Sequence, residues 1–99
     1  METRICDAIR RLLVVEFEYD GVPRVVHPYC HGVTKKGSET LRAVQIAGGS
    51  RPGGLGFGKL WTVAKIENLR VTERTFLPDD PNYNPEDSAM AEIHCRVRL

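Results

Sequence analysis

The sequence predicts a mainly β domain with a short N-terminal helix, in which five or six short strands form a small barrel or half-open sheet. Apolar residues alternate with polar ones in several short segments, which is typical of strands with one buried face. Glycine, proline and aspartate separate these segments, as tight turns require. Helical spacing is clearest in the first dozen residues. The 99 residues fit one domain, with helix and barrel in residues 1–76 and an irregular tail with a closing strand in residues 77–99.

The first segment predicts a helix followed by a β-hairpin. Apolar residues recur at helical spacing between residues 5 and 12, behind Thr3, which can cap the helix. Residues 15–19 then alternate as a strand, and Asp20-Gly21 supplies the positive φ of a tight turn. Residues 24–27 return as the second strand. Since Pro28 has no amide hydrogen, we expect central pairing to end there or the strand to lie on an edge.

The middle of the chain predicts three further strands separated by turns. Gly32 and residues 35–38 indicate turns around a short strand at residues 33–34, and residues 40–47 form the next strand. Residues 48–58 contain six glycines and a proline, which predicts a loop. Residues 60–63 form a strand, and residues 64–68 a single helical turn.

The last third predicts a strand, a helix start and a closing strand. The strand begins at Leu69 and ends near Phe76. At residues 84–87 an asparagine, a proline and two acids have the order of a helix N-terminus. Residues 93–99 alternate apolar and polar side chains as the closing strand. The N-terminal helix is expected to cover one open end of the barrel.

Composition excludes several classes of protein. With 41% hydrophobic and 27% charged residues the chain is an ordinary globular sequence. No apolar run approaches the ~20 residues of a membrane span, so no membrane partner is expected. The first residues lack an apolar signal-peptide core, which predicts a cytoplasmic location. The three cysteines are odd in number and widely spaced, unlike a secreted disulfide framework.

Positive charge is concentrated in the middle of the chain. Residues 21–74 contain nine basic and three acidic side chains, a net +6, whereas residues 1–20 and 75–99 are net −2 and −3. A folded segment with such an excess can attract anions. The alternative is an ordinary solvated surface.

A partial phosphate-loop motif in this segment is rejected. Residues 53–59 match the first seven positions of G-x-x-x-x-G-K-[ST], but Leu60 at the eighth position has no hydroxyl for Mg²⁺. The motif must also open a helix, and residues 60–63 are strand-like. A nucleotide hydrolase is therefore not expected.

Two groups of histidine and cysteine contain the residue types that bind metals. His27, Cys30 and His31 are close in sequence, and His94-Cys95 lies near the end. Without a paired Cys-x-x-Cys motif, we expect no metal and no cofactor, and Cys95 fits a small buried hydrophobe. Neighbours in a strand point to opposite faces, so a Cys30–His31 dyad is disfavoured. The sequence predicts no enzyme, although a small Cys/His-based enzyme stays as an alternative.

One pattern runs through about the first three quarters of the sequence. It consists of the helix, the run Phe17-Glu18-Tyr19-Asp20-Gly21-Val22-Pro23-Arg24-Val25-Val26-His27-Pro28-Tyr29, Leu41 with Ala43, and residues 60–69. This pattern resembles the WYL domain. It covers about residues 5–76. The resemblance implies an Sm-like β-barrel, often a ligand-sensing part of bacterial transcription or antiviral-defence regulators, which binds nucleic acid or another anionic ligand through basic and aromatic side chains.

The sequence departs from this family at its signature. Glu39-Thr40-Leu41 stands where the family has Trp-Tyr-Leu. In the basic-aromatic strand, Thr62 and Ala64 replace an arginine and an aspartate, while Lys59, Trp61 and Lys65 match. Residues 81–90 and the glycine loop are similar to short stand-alone WYL-like bacterial proteins.

The leading functional hypothesis is a non-enzymatic module for an anionic ligand, such as a nucleotide or single-stranded nucleic acid. The candidate ligand-binding residues are Arg24, Tyr29, Lys35, Lys36, Arg42, Lys59, Trp61 and Lys65. The basic residues would contact phosphates. Tyr29 and Trp61 either stack on a base or fill the core. The alternative is a protein-interaction module that binds a protein partner or forms a homo-oligomer.

Overall fold

The described part of the chain folds into a helix followed by six strands. The structure is a computed structural model that describes residues 3–48, 58–79 and 83–97. The elements in chain order are α1 (Thr3–Arg11), β1 (Leu13–Tyr19), β2 (Val22–Thr34), β3 (Glu39–Gly48), β4 (Gly58–Thr62), a 3₁₀ turn (Val63–Lys65), β5 (Glu67–Thr75) and β6 (Met90–Arg96). The predicted mainly β fold class with a short N-terminal helix is confirmed.

All six of the described strands belong to one antiparallel sheet. Its order is β4-β3-β2-β1-β5, and β6 pairs with β2. Among the described residues β4 and β5 are free edges, so the sheet is not closed into the expected barrel. The sheet is nevertheless strongly curved. The curvature places the centre of the Trp61 ring on β4 5.3 Å from the centre of the Phe17 ring and 5.0 Å from that of the Tyr19 ring, both on β1.

Strand β2 connects the two halves of the sheet. Its residues 22–26 pair with β1, and residues 30–34 pair with β6. Strand β3 runs along its other side from Arg24 to Val33. The prediction that pairing ends at Pro28 is wrong. Pro28 lies opposite Ala43 beside a bulge, between the β1-paired and β6-paired parts of β2, where its missing amide hydrogen is tolerated.

The predicted turn at Gly32 is also wrong. Gly32 and residues 33–34 belong to β2. A glycine is needed there because β6 passes very close: a Cβ at residue 32 would lie 2.1 Å from the Glu92 carbonyl oxygen. Glycine inside a strand often marks a place where another backbone approaches closely.

The hydrophobic core lies between α1 and the concave face of the sheet. Ile5, Ala8 and Ile9 on α1 are fully buried. The sheet supplies Val15, Phe17, Val26, Leu41, Ala43 and Trp61. The helix ends one residue before Leu12, which has a φ of 55°. Burial of this apolar face, rather than helix propensity, stabilises so short a helix.

Several local predictions are confirmed. Asp20 and Gly21 have φ of 55° and 73° and form the turn between β1 and β2. The strands predicted at residues 40–47, 60–63, 69–76 and 93–99 correspond to β3, β4, β5 and β6, with the 3₁₀ turn near the predicted helical turn. Residues 98 and 99 of the last predicted strand lie outside the described residues. Most of the glycine loop, residues 49–57, lies outside the described residues.

The predicted helix at residues 84–87 is a pair of turns. The Asn84 side chain accepts a hydrogen bond from the Glu86 amide, and Asp87 accepts one from the Ala89 amide. These bonds stabilise turns as well as helix starts. Since β6 begins at Met90, the chain extends before a helix can form.

The longest described helix has nine residues, and none of the described helices has the length and apolarity needed to cross a membrane.

Replacing Gly32 by alanine should strongly destabilise the fold. We expect Gly32→Ala to lower the free energy of unfolding by at least about 2 kcal/mol, because backbone atoms of β6 must move. Gly37→Ala is the control: Gly37 has a φ of 82° and no atom near its Cβ position, so the expected cost is about 1 kcal/mol. Urea denaturation of both variants measures the difference. Equal costs would contradict the close packing of β2 and β6.

Candidate functional site

Three of the eight predicted ligand-binding residues converge on one place, which we name the Trp61 cluster: Arg24, Lys59 and Trp61. The Arg24 guanidinium carbon lies 5.6 Å from the centre of the indole ring, and the Lys59 ammonium nitrogen lies 5.8 Å from it. Arg24 comes from β2, and Lys59 from β4, with β3 between them. Lys59 lies beside the ring because residues two apart on one strand share a face, whereas the curvature of the sheet brings Arg24 to the same ring from a strand that is not a neighbour of β4.

Hydrogen bonds hold this cluster in place. The Trp61 Nε1–H group donates to the Ala43 carbonyl oxygen at 3.3 Å. Arg24 donates to the Tyr19 carbonyl oxygen at 3.2 Å and to the Gln45 side chain at 3.5 Å. Since Gln45 is 1% exposed, the guanidinium lies at the boundary between the core and the surface. Both cations also interact favourably with the face of the indole.

Trp61 and Tyr29 are part of the core. Trp61 is 3% exposed and Tyr29 is 2% exposed. Tyr29 lies away from Trp61 and packs on Phe76 and Tyr83, at ring-centre distances of 5.7 and 5.0 Å. Neither ring presents an open face, so base stacking, one of the two roles considered for them, is not available in this conformation. The core-packing role is the one observed.

The other basic candidates lie elsewhere. Lys35 and Lys36 are exposed at the turn between β2 and β3, at the opposite end of β2 from Arg24. Lys65 is exposed in the 3₁₀ turn. Arg42 is committed to a structural ion pair. Only the Trp61 cluster therefore gathers predicted cations from separate strands among the described residues.

The Arg42 ion pair connects β3 to the turns before β6. Its Nε and Nη2 atoms donate to the two carboxylate oxygens of Asp87 at 2.8 and 3.1 Å. The Asp87 side chain is 7% exposed. This hydrogen bond from Arg42 is the main cause of a lowered Asp87 pKa, and the Ala89 amide adds to it. A bidentate pair of this kind fixes the position of the segment that covers β2.

Under this segment Cys30 is a buried free thiol. Burial, together with the nearby Asp87 carboxylate, raises the pKa of Cys30 to about 11. Burial likewise raises the pKa of Tyr83 to about 12. A nucleophilic cysteine needs a lowered pKa, so this environment is the reverse of what an enzyme based on Cys30 requires.

A second group of side chains, which contains two cysteines and a histidine, lies where α1 packs on the sheet. Cys6 on α1 and Cys95 on β6 form a disulfide across 89 residues of sequence. The expectation that Cys95 is simply a small buried hydrophobe is therefore wrong. The cysteine count could not reveal this pair, because the contact depends on how α1 packs against β6.

His31 completes this second group. Its Nδ1 atom lies 3.3 Å from the Cys6 sulfur, and its Nε2 atom lies 2.7 Å from a carboxylate oxygen of Glu39. The His31 side chain is fully buried. The sequence did single out His31 and Cys95, but it missed Cys6 and Glu39. The available signal was the position of Cys6 between Ile5 and Ile9 on the apolar face of α1.

No known protein-family model matches this chain, and no curated protein or solved structure matches it significantly.

Acid should weaken the fold partly through Asp87. Because the folded-state pKa of Asp87 is lowered, its contribution is present at neutral pH and is lost as the pH falls through that value. We expect Asp87→Asn to cost about 1–3 kcal/mol at pH 7. The difference in free energy of unfolding between the parent protein and Asp87→Asn should decrease as the pH falls below about 4. Urea denaturation across this pH range measures it.

The control for this experiment is Asp7→Asn. Asp7 pairs with Arg11 on the surface, where both side chains are more than half exposed. Its removal should change the free energy of unfolding by less than about 0.5 kcal/mol. A pH-independent cost of Asp87→Asn would show that the Arg42 pair does not carry the effect.

Proposed function

We propose that this chain is a non-enzymatic module that binds an anionic, phosphate-bearing ligand at the Trp61 cluster. The observation that carries the proposal is the convergence of Arg24 and Lys59 on one indole ring, at 5.6 and 5.8 Å from its centre. They belong to a segment with a net charge of +6. Two cations beside an apolar wall stabilise an anion more than the same cations free in water.

The cluster favours recognition of the phosphate rather than the base. Arg24 is held by the Tyr19 carbonyl oxygen and Gln45, so its guanidinium is oriented before a ligand arrives. Preorganised donors lose less entropy on binding. The buried Trp61 serves as the platform that positions both cations. Single-stranded nucleic acid or a nucleotide would then bind with little sequence preference, since phosphate contacts carry no base information.

The resemblance to the WYL domain also supports an anion-binding function. We propose that the curved sheet belongs to the Sm-like folds of WYL domains and that the module has a regulatory, ligand-sensing role. The support is the N-terminal helix, the antiparallel strands and the matching positions Arg24, Lys59 and Trp61. Because Glu39-Thr40-Leu41 replaces the Trp-Tyr-Leu signature of the family, we propose that the ligand binds at the Trp61 cluster and not at residues 39–41.

Oligonucleotide binding should be weak, salt-dependent and centred on Lys59. Fluorescence anisotropy of a short labelled single strand at low ionic strength measures the affinity. Two phosphate contacts predict a slope of log K against log salt of about −1.4, and Lys59→Gln should reduce its magnitude by about 0.7. Inorganic phosphate should compete if the phosphate group is the part recognised.

Matched charge removal away from the cluster provides the control. The double variant Lys35→Gln/Lys36→Gln removes two charges at the far end of β2. We expect this double variant to bind the oligonucleotide more tightly than Lys59→Gln does, although it loses two positive charges and Lys59→Gln loses only one. Arg24→Gln should weaken binding as Lys59→Gln does, with folding checked by its thermal transition. Absence of binding at low salt, or a larger loss in the Lys35/Lys36 variant, would refute the proposal.

A second candidate function is self-association through the edge strand β4. Leu60 on β4 is 43% exposed and lies opposite Arg42 on β3. Strand alternation places Ile46, which is 41% exposed, on the same face. An exposed apolar side chain on β4, which is an edge strand among the described residues, and a second one on the adjacent strand β3 favour pairing with a second copy of the chain.

Light scattering after size-exclusion chromatography tests this alternative. If β4 mediates a dimer, Leu60→Lys should convert it to a monomer, because a charge on the edge opposes pairing. Leu77→Lys is the control, since Leu77 is 76% exposed but lies outside the sheet. A monomeric parent protein at high concentration would exclude the self-association function.

A further inference from the structure

We propose that Cys6, Cys95 and His31 form a zinc-binding site when the Cys6–Cys95 disulfide is reduced. This inference is independent of the anion-binding function, because it concerns the other half of β2. It also departs from the sequence-based expectation of no metal. The sequence placed His31 and Cys95 in separate groups, whereas the fold unites them with a cysteine from α1.

The geometry of the three side chains fits a metal centre. They come from α1, β6 and β2, and their ligand atoms all lie within 4.8 Å of one another. The Cys6 sulfur and the His31 Nδ1 atom are 3.3 Å apart. With Zn–S of about 2.3 Å and Zn–N of about 2.0 Å, tetrahedral ligand atoms stand roughly 3.5 Å apart. Two thiolates and an imidazole are typical zinc ligands.

Glu39 supplies an independent argument for a metal. Its carboxylate lies 2.7 Å from His31 Nε2. When Nε2–H donates to that carboxylate, the lone pair of the imidazole is on Nδ1, which faces the sulfur. A histidine that binds a metal through one nitrogen and a carboxylate through the other is the usual arrangement around zinc.

The surroundings provide both a dry interior and an access route. Cys6 and Cys95 are each 7% exposed, and His31 is fully buried. On the outside, Cys95 and His94 line a surface pocket together with Ile9, Leu12 and Arg96. The ring centres of His94 and His31 are 5.5 Å apart. His94 is the extra residue of a bulge in β6, so it can supply the fourth ligand after a modest rearrangement.

The chemistry requires a thiol reductant and balances without further reactants. Two small-molecule thiols reduce the Cys6–Cys95 disulfide, giving two cysteine thiols and one small-molecule disulfide. Zinc then binds both sulfurs as thiolates and releases their two protons, while its own oxidation state is unchanged. Reduction thus exchanges a covalent link between α1 and β6 for a link through the metal.

The test compares the oxidised and reduced forms of the full chain. The reduced chain, freed of reductant under anaerobic conditions, is titrated with zinc and, separately, with cobalt(II). We expect about one zinc per chain in the reduced form and none in the oxidised form. The cobalt form should show thiolate-to-metal charge-transfer absorption. If the reduced chain unfolds, zinc should refold it, as in other structural zinc sites.

Variants assign the ligands. Cys95→Ser should lower the charge-transfer absorption from that of two thiolates to at most that of one and weaken zinc binding, and His31→Gln should also weaken zinc binding. Glu39→Gln should keep the tetrahedral cobalt spectrum and lower the zinc affinity about 10–100-fold, as expected of a positioning residue. Cys30→Ser is the matched control and should bind zinc like the parent. A reduced chain that binds no zinc, whether folded or unfolded, would overturn the proposal.

Discussion

The continuous strand β2 is the constraint on which the rest of the structure depends. Its thirteen residues pair with β3 on one side and, in succession, with β1 and β6 on the other. On that side β2 changes partner between Val26, which pairs with β1, and Cys30, which pairs with β6. Pro28 and the neighbouring bulge lie at that point, where a lost amide hydrogen and an irregular register are tolerated.

This division of β2 separates the two chemical centres. Arg24 lies in the half paired with β1, where the curvature of the sheet brings Trp61 and Lys59 across the concave face. His31 lies in the half paired with β6, where α1 covers the sheet and contributes Cys6. The first centre is a pair of cations on an apolar wall. The second is a buried group of sulfur and imidazole that ties α1, β2 and β6 together.

The sequence predicted local structure better than long-range contacts. The Asp20-Gly21 turn follows from backbone sterics, and the alternation of β1 and β6 follows from burial of one face. The predictions at Pro28 and Gly32 are wrong because the roles of these residues depend on which strand lies beside them. Likewise, Arg24 reaches Trp61 and Lys59 because the sheet is curved, whereas charge counts alone gave equal weight to Lys35 and Lys36. The Cys6–Cys95 contact depends on helix docking, which spacing does not encode.

The most direct test of this account is the map of backbone amide chemical shifts, measured by NMR as a short single-stranded oligonucleotide is added. If the first half of β2 builds the anion site, the largest changes among the described residues occur in β4, at the end of β3 and around Arg24. The amides near His31 and β6 should barely change. Changes concentrated at Lys35 and Lys36, or spread evenly over the sheet, would contradict the account.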